Sequence, residues 1–73
     1  MPNDLARDLG EAIRTARVKA GYTQEAFASH VALDRSYYGS IERGEHSITI
    51  ETLTIVADGL GVSAWALLRE ARI

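Results

Sequence analysis

The sequence predicts an all-α fold, five helices packed on one core, with residues 1–73 forming a single domain. Three observations predict it. Apolar residues recur at steps of three and four through most of the chain. A Ser, Thr, Asn or Asp stands before each such pattern, where its side chain can accept from the orphan N–H groups of a first helical turn. No segment alternates apolar and polar residues as a strand does, and the one proline is Pro2.

The first helix is predicted from about Asp4 to Ala20, capped by Asn3, with Leu5, Leu9, Ile13, Ala16 and Ala20 on its buried stripe and Gly21 ending it. The second starts at the Thr23 cap and buries Phe27, Ala28 and Val31. The third starts at the Asp34 cap, buries Tyr38 and Ile41, and stops at Gly44. Thr49 caps a fourth that buries Ile50, Leu53, Val56, Ala57 and Leu60 and ends at Gly61, and Ser63 caps a fifth through Leu67 and Leu68. Leu33 before Asp34, Ile48 before Thr49 and Val62 before Ser63 have the spacing of hydrophobic staples to Tyr38, Leu53 and Leu67, which set how the chain enters each helix.

At 73 residues and 47% hydrophobic content the chain is near the size where one core leaves little stability to spare, so burial in a dimer would help. The absence of cysteine removes disulfides and thiolate zinc ligands. No apolar run approaches the length of a membrane span, and Met1 to Leu9 is acidic, unlike a secretory signal, so a cytoplasmic location is expected. The net charge of -2 and pI near 5.5 are awkward for a nucleic-acid binder and imply weak non-specific DNA binding. The distribution leaves room for a positive face: Asp4, Asp8, Glu11, Glu51, Asp58 and Glu70 lie outside residues 23–44, whereas Arg35 and Arg43 lie on the third helix.

Residues 23–44 carry two short helical patterns with a tight joint, and the second opens on Arg35, Ser36 and Tyr37, the sequence form of a helix-turn-helix reader of DNA. Arg35, in the first turn, can offer a fork of donors to guanine O6 and N7 in the major groove. Ser36 suits a base edge or a phosphate; Tyr37, on the same side as Ser40, suits a phosphate or a thymine methyl, while Tyr38 belongs to the core by its spacing with Ile41. Gly39 has two readings: a missing side chain lets the helix sit deep in the groove, or it allows close packing, at about 1 kcal/mol relative to alanine. His30 and His46 lack the neighbours of a zinc site or a catalytic arrangement and read as surface residues, so neither metal, cofactor nor enzymatic activity is expected.

The stretches Gly-Tyr-Thr-Gln-Glu at 21–25, Leu-Asp-Arg-Ser-Tyr-Tyr at 33–38, Ile-Glu-Arg-Gly at 41–44 and Leu-Gly-Val-Ser at 60–63 resemble the Cro- and phage-repressor-like helix-turn-helix proteins, also called the xenobiotic-response-element family, from roughly Leu9 to Leu68. Arg-Ser-Tyr followed by Ile-Glu-Arg-Gly in so short a chain also resembles the controller proteins of restriction-modification operons. The resemblance implies the compact five-helix repressor-like domain, with a recognition helix at about 35–43 in the major groove. It implies base contact by Arg35 and phosphate contacts by Gln24 and Arg43, Gln24 also bracing the recognition helix; beside these, Ser36, Tyr37 and Ser40 are expected at base edges, and Thr23 and, in the loop after Gly44, His46 at phosphates. It further implies an ion pair between Arg17 and Glu42 that ties the first helix to the third.

The chain departs from the family pattern twice. Ala32 stands in the turn where glycine is usual, so a positive φ there carries roughly 1 kcal/mol of strain. Glu45 stands where basic residues are common and subtracts local positive charge. Ile55 and Trp65 lie off the core stripes and are expected in a dimer interface. The function expected is a homodimeric, sequence-specific transcriptional regulator on a pseudo-palindromic double-stranded DNA operator, with no small-molecule effector. The alternative is a helix-turn-helix module for protein contacts, such as an antitoxin or adaptor.

Overall fold

Four of the five predicted caps form as hydrogen bonds. In the computed structural model, which describes residues 2–71, Thr23, Asp34, Thr49 and Ser63 accept from the backbone N–H groups of Ala26, Tyr37, Thr52 and Ala66 at 3.0 to 3.1 Å. They open α2 (Gln24–His30), α3 (Arg35–Glu42), α4 (Ile50–Leu60) and α5 (Ala64–Glu70). The first helix, α1 (Pro2–Lys19), starts two residues before the predicted Asp4, so Asn3 falls inside it instead of capping it.

The helix ends share one device. Residues 21, 32, 44 and 61 have φ between +59° and +89° and turn the chain back on α1, α2, α3 and α4 in order. At each end the next residue's N–H bonds to the carbonyl five positions back, as from Leu33 to Ala28 at 2.9 Å and from Glu45 to Ser40 at 3.0 Å. Three of these residues are glycine; the fourth is Ala32 at φ +59°, the strained alanine expected from the sequence.

The core is centred on Ile13, Phe27, Tyr38, Ile41 and Val56, all fully buried and drawn from α1 to α4, with Leu67 of α5 beneath them. Gly10 was not singled out in the sequence, yet the backbones of α1 and α3 touch there. A Cβ on Gly10 would stand 2.7 Å from the Glu42 carbonyl oxygen and closer still to that of Ile41. This contact fixes α3 against α1 without any side chain.

Three residues assigned to the buried stripes are exposed: Leu5 at 56%, Ile50 at 80%, and Ala20. Leu5 and Ile50 lie near the starts of α1 and α4, where no further turn of a neighbouring helix covers them, and they line an open groove of about 260 Å³ with Leu9, Ile48 and Leu68. Ala20 sits in the reversal at Gly21. Periodicity names the face of a residue, but burial there needs a partner element that reaches as far.

Candidate nucleic-acid interface

The joint between α2 and α3 spans residues 31–34, and its two ends are held by the Ala32 reversal and the Asp34 cap. Leu33, the predicted staple, packs against the core between them. This leaves the first turn of α3 pointing outward, with Arg35 and Ser36 exposed and Tyr37 half buried. A polar concavity of about 370 Å³ runs along α3 and the start of α2, lined by Gln24, Glu25, Arg35, Ser36, Gly39 and Arg43.

The opposite end of α3 is locked. The buried Glu42 carboxylate accepts from Arg17 Nε at 2.7 Å and from its terminal nitrogen at 3.0 Å, from Gln24 Nε2 at 3.1 Å, and from the Tyr38 hydroxyl. Arg17 also donates to the Tyr22 carbonyl at 2.9 Å. Arg17 and Glu42 are 8% and 7% exposed, so the predicted ion pair is a buried one that joins α1, α2 and α3. Burial opposes ionisation of Glu42, but the donors from Arg17, Tyr38 and Gln24 outweigh it and hold the carboxyl below its usual range. The same bond to Glu42 raises the Arg17 pKa, while burial and the bond to Glu42 push the Tyr38 hydroxyl up. Tyr38 and Glu42 stand four apart on one helix, a spacing that made their contact legible although only the Arg17 pairing was expected.

Gly39 is buried under its neighbours: a Cβ there would meet Arg43 at 3.1 Å and the Gln24 side-chain oxygen at 3.3 Å. Its missing side chain makes room for these two, which favours the close-packing reading. Gln24 braces α3 by its bond to Glu42. Ser40 is the exception among the expected base contacts. It is 5% exposed, and its hydroxyl donates to the Tyr37 carbonyl at 2.6 Å, because position 40 turns toward the body of the domain beside Ile41.

Arg35, which opens α3, and Arg43, which caps its end one residue short of the expected helix bound, are both paired within the chain, which the sequence did not reveal. Arg35 donates through one terminal nitrogen to Glu25 of α2. Arg43 donates through Nε and a terminal nitrogen to the two oxygens of Glu45, at 2.9 and 3.3 Å. These bonds raise the Arg43 pKa and lower that of Glu45. Residues 23–46 thus hold four carboxylates against two arginines, and the positive face allowed by the sequence is neutralised at its own cations. Glu25 escaped notice because a pairing across a turn follows no helical spacing.

Elsewhere, Thr23 and His46 are exposed, with the His46 ring 5.9 Å from Tyr37. His30 is exposed and stacks on Tyr22 at 5.1 Å. Ile55 and Trp65 are exposed as expected, Trp65 at 65%, with the Arg69 guanidinium 5.3 Å from the centre of its ring. Among the described residues no group of His, Asp or Glu is placed to hold a metal ion, and no single helix is long and apolar enough to cross a membrane.

Residues 13–64 match a family described as Helix-turn-helix. The chain is 36% identical to Control protein C.MunI from a Mycoplasma species over 62 residues, 84% of each chain. Its fold is similar to the clp gene regulator ClgR from Corynebacterium glutamicum, with a TM-score of 0.90, 32% identity, and coverage of 93% of this chain and 87% of that one. It is similar also to the restriction-modification controller protein C.AhdI from Aeromonas hydrophila, with a TM-score of 0.81, 31% identity, and coverage of 85% and 94%.

Proposed function

This chain belongs to the helix-turn-helix family of DNA-binding transcriptional regulators, and from that premise we propose that it acts as a homodimer on a pseudo-palindromic operator with α3 in the major groove. One observation carries the reading: α3 presents Arg35 and Ser36 to solvent at its N-terminal end while Glu42 bolts its other end to α1 and α2. A reader helix needs both, since base contacts demand a fixed approach of the side chains that make them.

In this proposal Arg35 reads guanine, for which the bond to Glu25 through a single terminal nitrogen leaves the Nε edge of the fork to face O6 and N7. Ser36 and Tyr37 contact neighbouring bases or their backbone, and Thr23, Gln24, Arg43 and His46 contact phosphates. Dimerisation through Ile55 and Trp65 pairs two readers one helical turn apart and covers apolar surface that a lone domain exposes. The likeness to C.MunI and C.AhdI supports a regulator of a restriction-modification operon, without catalytic activity of its own.

A mobility-shift titration on promoter DNA of its own operon at two salt concentrations tests the reading. Specific retardation that weakens with salt is expected. Failure to bind any duplex would favour the second reading, an adaptor or antitoxin that contacts protein, for which the observation is that Arg35 and Arg43 are both paired with carboxylates. Sedimentation tests the dimer: a monomer at high micromolar concentration, with and without DNA, would exclude it.

A further inference from the structure

We infer that Glu45 is a built-in competitor for DNA phosphate at Arg43, setting how tightly this protein binds any duplex, an inference that rests on the reading that α3 faces DNA. The backbone brings the two residues of this pair together. Gly44, at φ +75°, reverses the chain at the end of α3, and the Glu45 N–H donates back to the Ser40 carbonyl at 3.0 Å. The reversal brings the Glu45 carboxylate beside Arg43, two residues earlier, where it accepts from Nε at 2.9 Å and from a terminal nitrogen at 3.3 Å. A Cβ on Gly44 would stand 2.5 Å from the Arg7 Cα, so α1 closes over the reversal and holds it in place.

A two-point contact of this kind uses the edge of the guanidinium that a phosphate would use. Carboxylate and phosphate therefore exclude one another at that edge. To anchor on DNA through that edge, Arg43 has to leave Glu45, and the freed carboxylate is then left beside the negatively charged backbone; through its other terminal nitrogen it anchors with its charge already offset by Glu45. The contrast with Arg35 is one of grip: Glu25 takes a single terminal nitrogen there and leaves the Nε edge open, whereas Glu45 takes both nitrogens of the Nε edge of Arg43 and leaves only the outer terminal nitrogens. Because phosphate looks the same at every step, the competition lowers affinity without choosing between sequences.

The test is a double-mutant cycle of Glu45→Gln and Arg43→Ala, with each protein titrated against promoter and random duplexes at two salt concentrations. Both side chains are more than half exposed, so all four proteins should melt alike. Glu45→Gln should tighten binding to both duplexes by about two- to fivefold, the range an exposed ion pair is worth, and steepen the salt dependence by up to about one unit. In the Arg43→Ala background the gain from Glu45→Gln should shrink. A gain of equal size in both backgrounds would show that Glu45 merely repels DNA, and no gain in either would make it a bystander; either result overturns the inference. Failure of the unaltered protein to bind any duplex would instead remove the DNA-facing reading beneath it.

Discussion

The third helix is held by ion pairs on two sides, and the two sides do opposite work. On the buried side, Glu42 gathers four donors from Arg17, Gln24 and Tyr38 and has no water to fall back on. On the exposed side, Arg35 and Arg43 hold Glu25 and Glu45 in solvent, where an ion pair exchanges readily for another partner. The same two side-chain types thus make a fixed joint in one place and a replaceable contact in the other. The difference is solvent: removing a partner inside leaves a charge stranded, while removing one outside leaves a charge hydrated.

The largest test of this contrast is Glu42→Ala. It strands Arg17 and the Tyr38 hydroxyl, and the expected loss of about 3 to 5 kcal/mol would lower the melting temperature by well over 10 °C in a domain of this size. If melting is unchanged, the buried joint is not what holds α3. On the exposed side, Arg35→Ala should leave melting unchanged, weaken operator binding by about 1 to 3 kcal/mol, and relax the preference at one base pair, with little effect on random DNA. Equal weakening on operator, base-substituted operator and random duplex would make Arg35 an anchor. Arg43→Ala should weaken all three alike and reduce the magnitude of the salt slope by less than the roughly one unit of an unpaired phosphate anchor, because Glu45 already offsets part of its charge.

Acid sharpens the comparison further. The Glu42 pKa is lowered from its ordinary 4.5 in the fold, so the folded state favours the ionised form more than the unfolded chain does. Its contribution is complete above that ordinary value and is lost as pH falls through the lower folded value. Melting curves between pH 7 and pH 3 should show a decline below about pH 4.5 that Glu42→Gln flattens. An identical decline in both proteins would place the acid sensitivity elsewhere. The smallest effect is expected at the joint between α2 and α3, where Ala32→Gly relieves a left-handed alanine but loosens the unfolded chain. A net gain of about 1 kcal/mol or less should appear in thermal melting. Destabilisation would mean that φ near +59° is unstrained there.

The sequence by itself determined the parts whose hydrogen bonds close within five residues. Thr23, Asp34, Thr49 and Ser63 cap helices because an oxygen at that position reaches an N–H three residues on, whatever the rest of the chain does. Gly21, Gly44 and Gly61 end helices, and Ala32 strains to do so, for the same local reason. The outward face of Arg35 and Ser36 followed from the Asp34 cap and the periodicity of Tyr38 and Ile41. The Arg17 to Glu42 pair, twenty-five positions apart, was legible only through the resemblance of its motifs. Only the tertiary structure decided that Leu5 and Ile50 stay uncovered, that Gly10 is where two backbones meet, that Ser40 faces inward, and that Glu25 reaches Arg35 across the turn. These depend on where a second element ends and how closely it approaches, and a pattern along one helix carries no record of the length or distance of its neighbour.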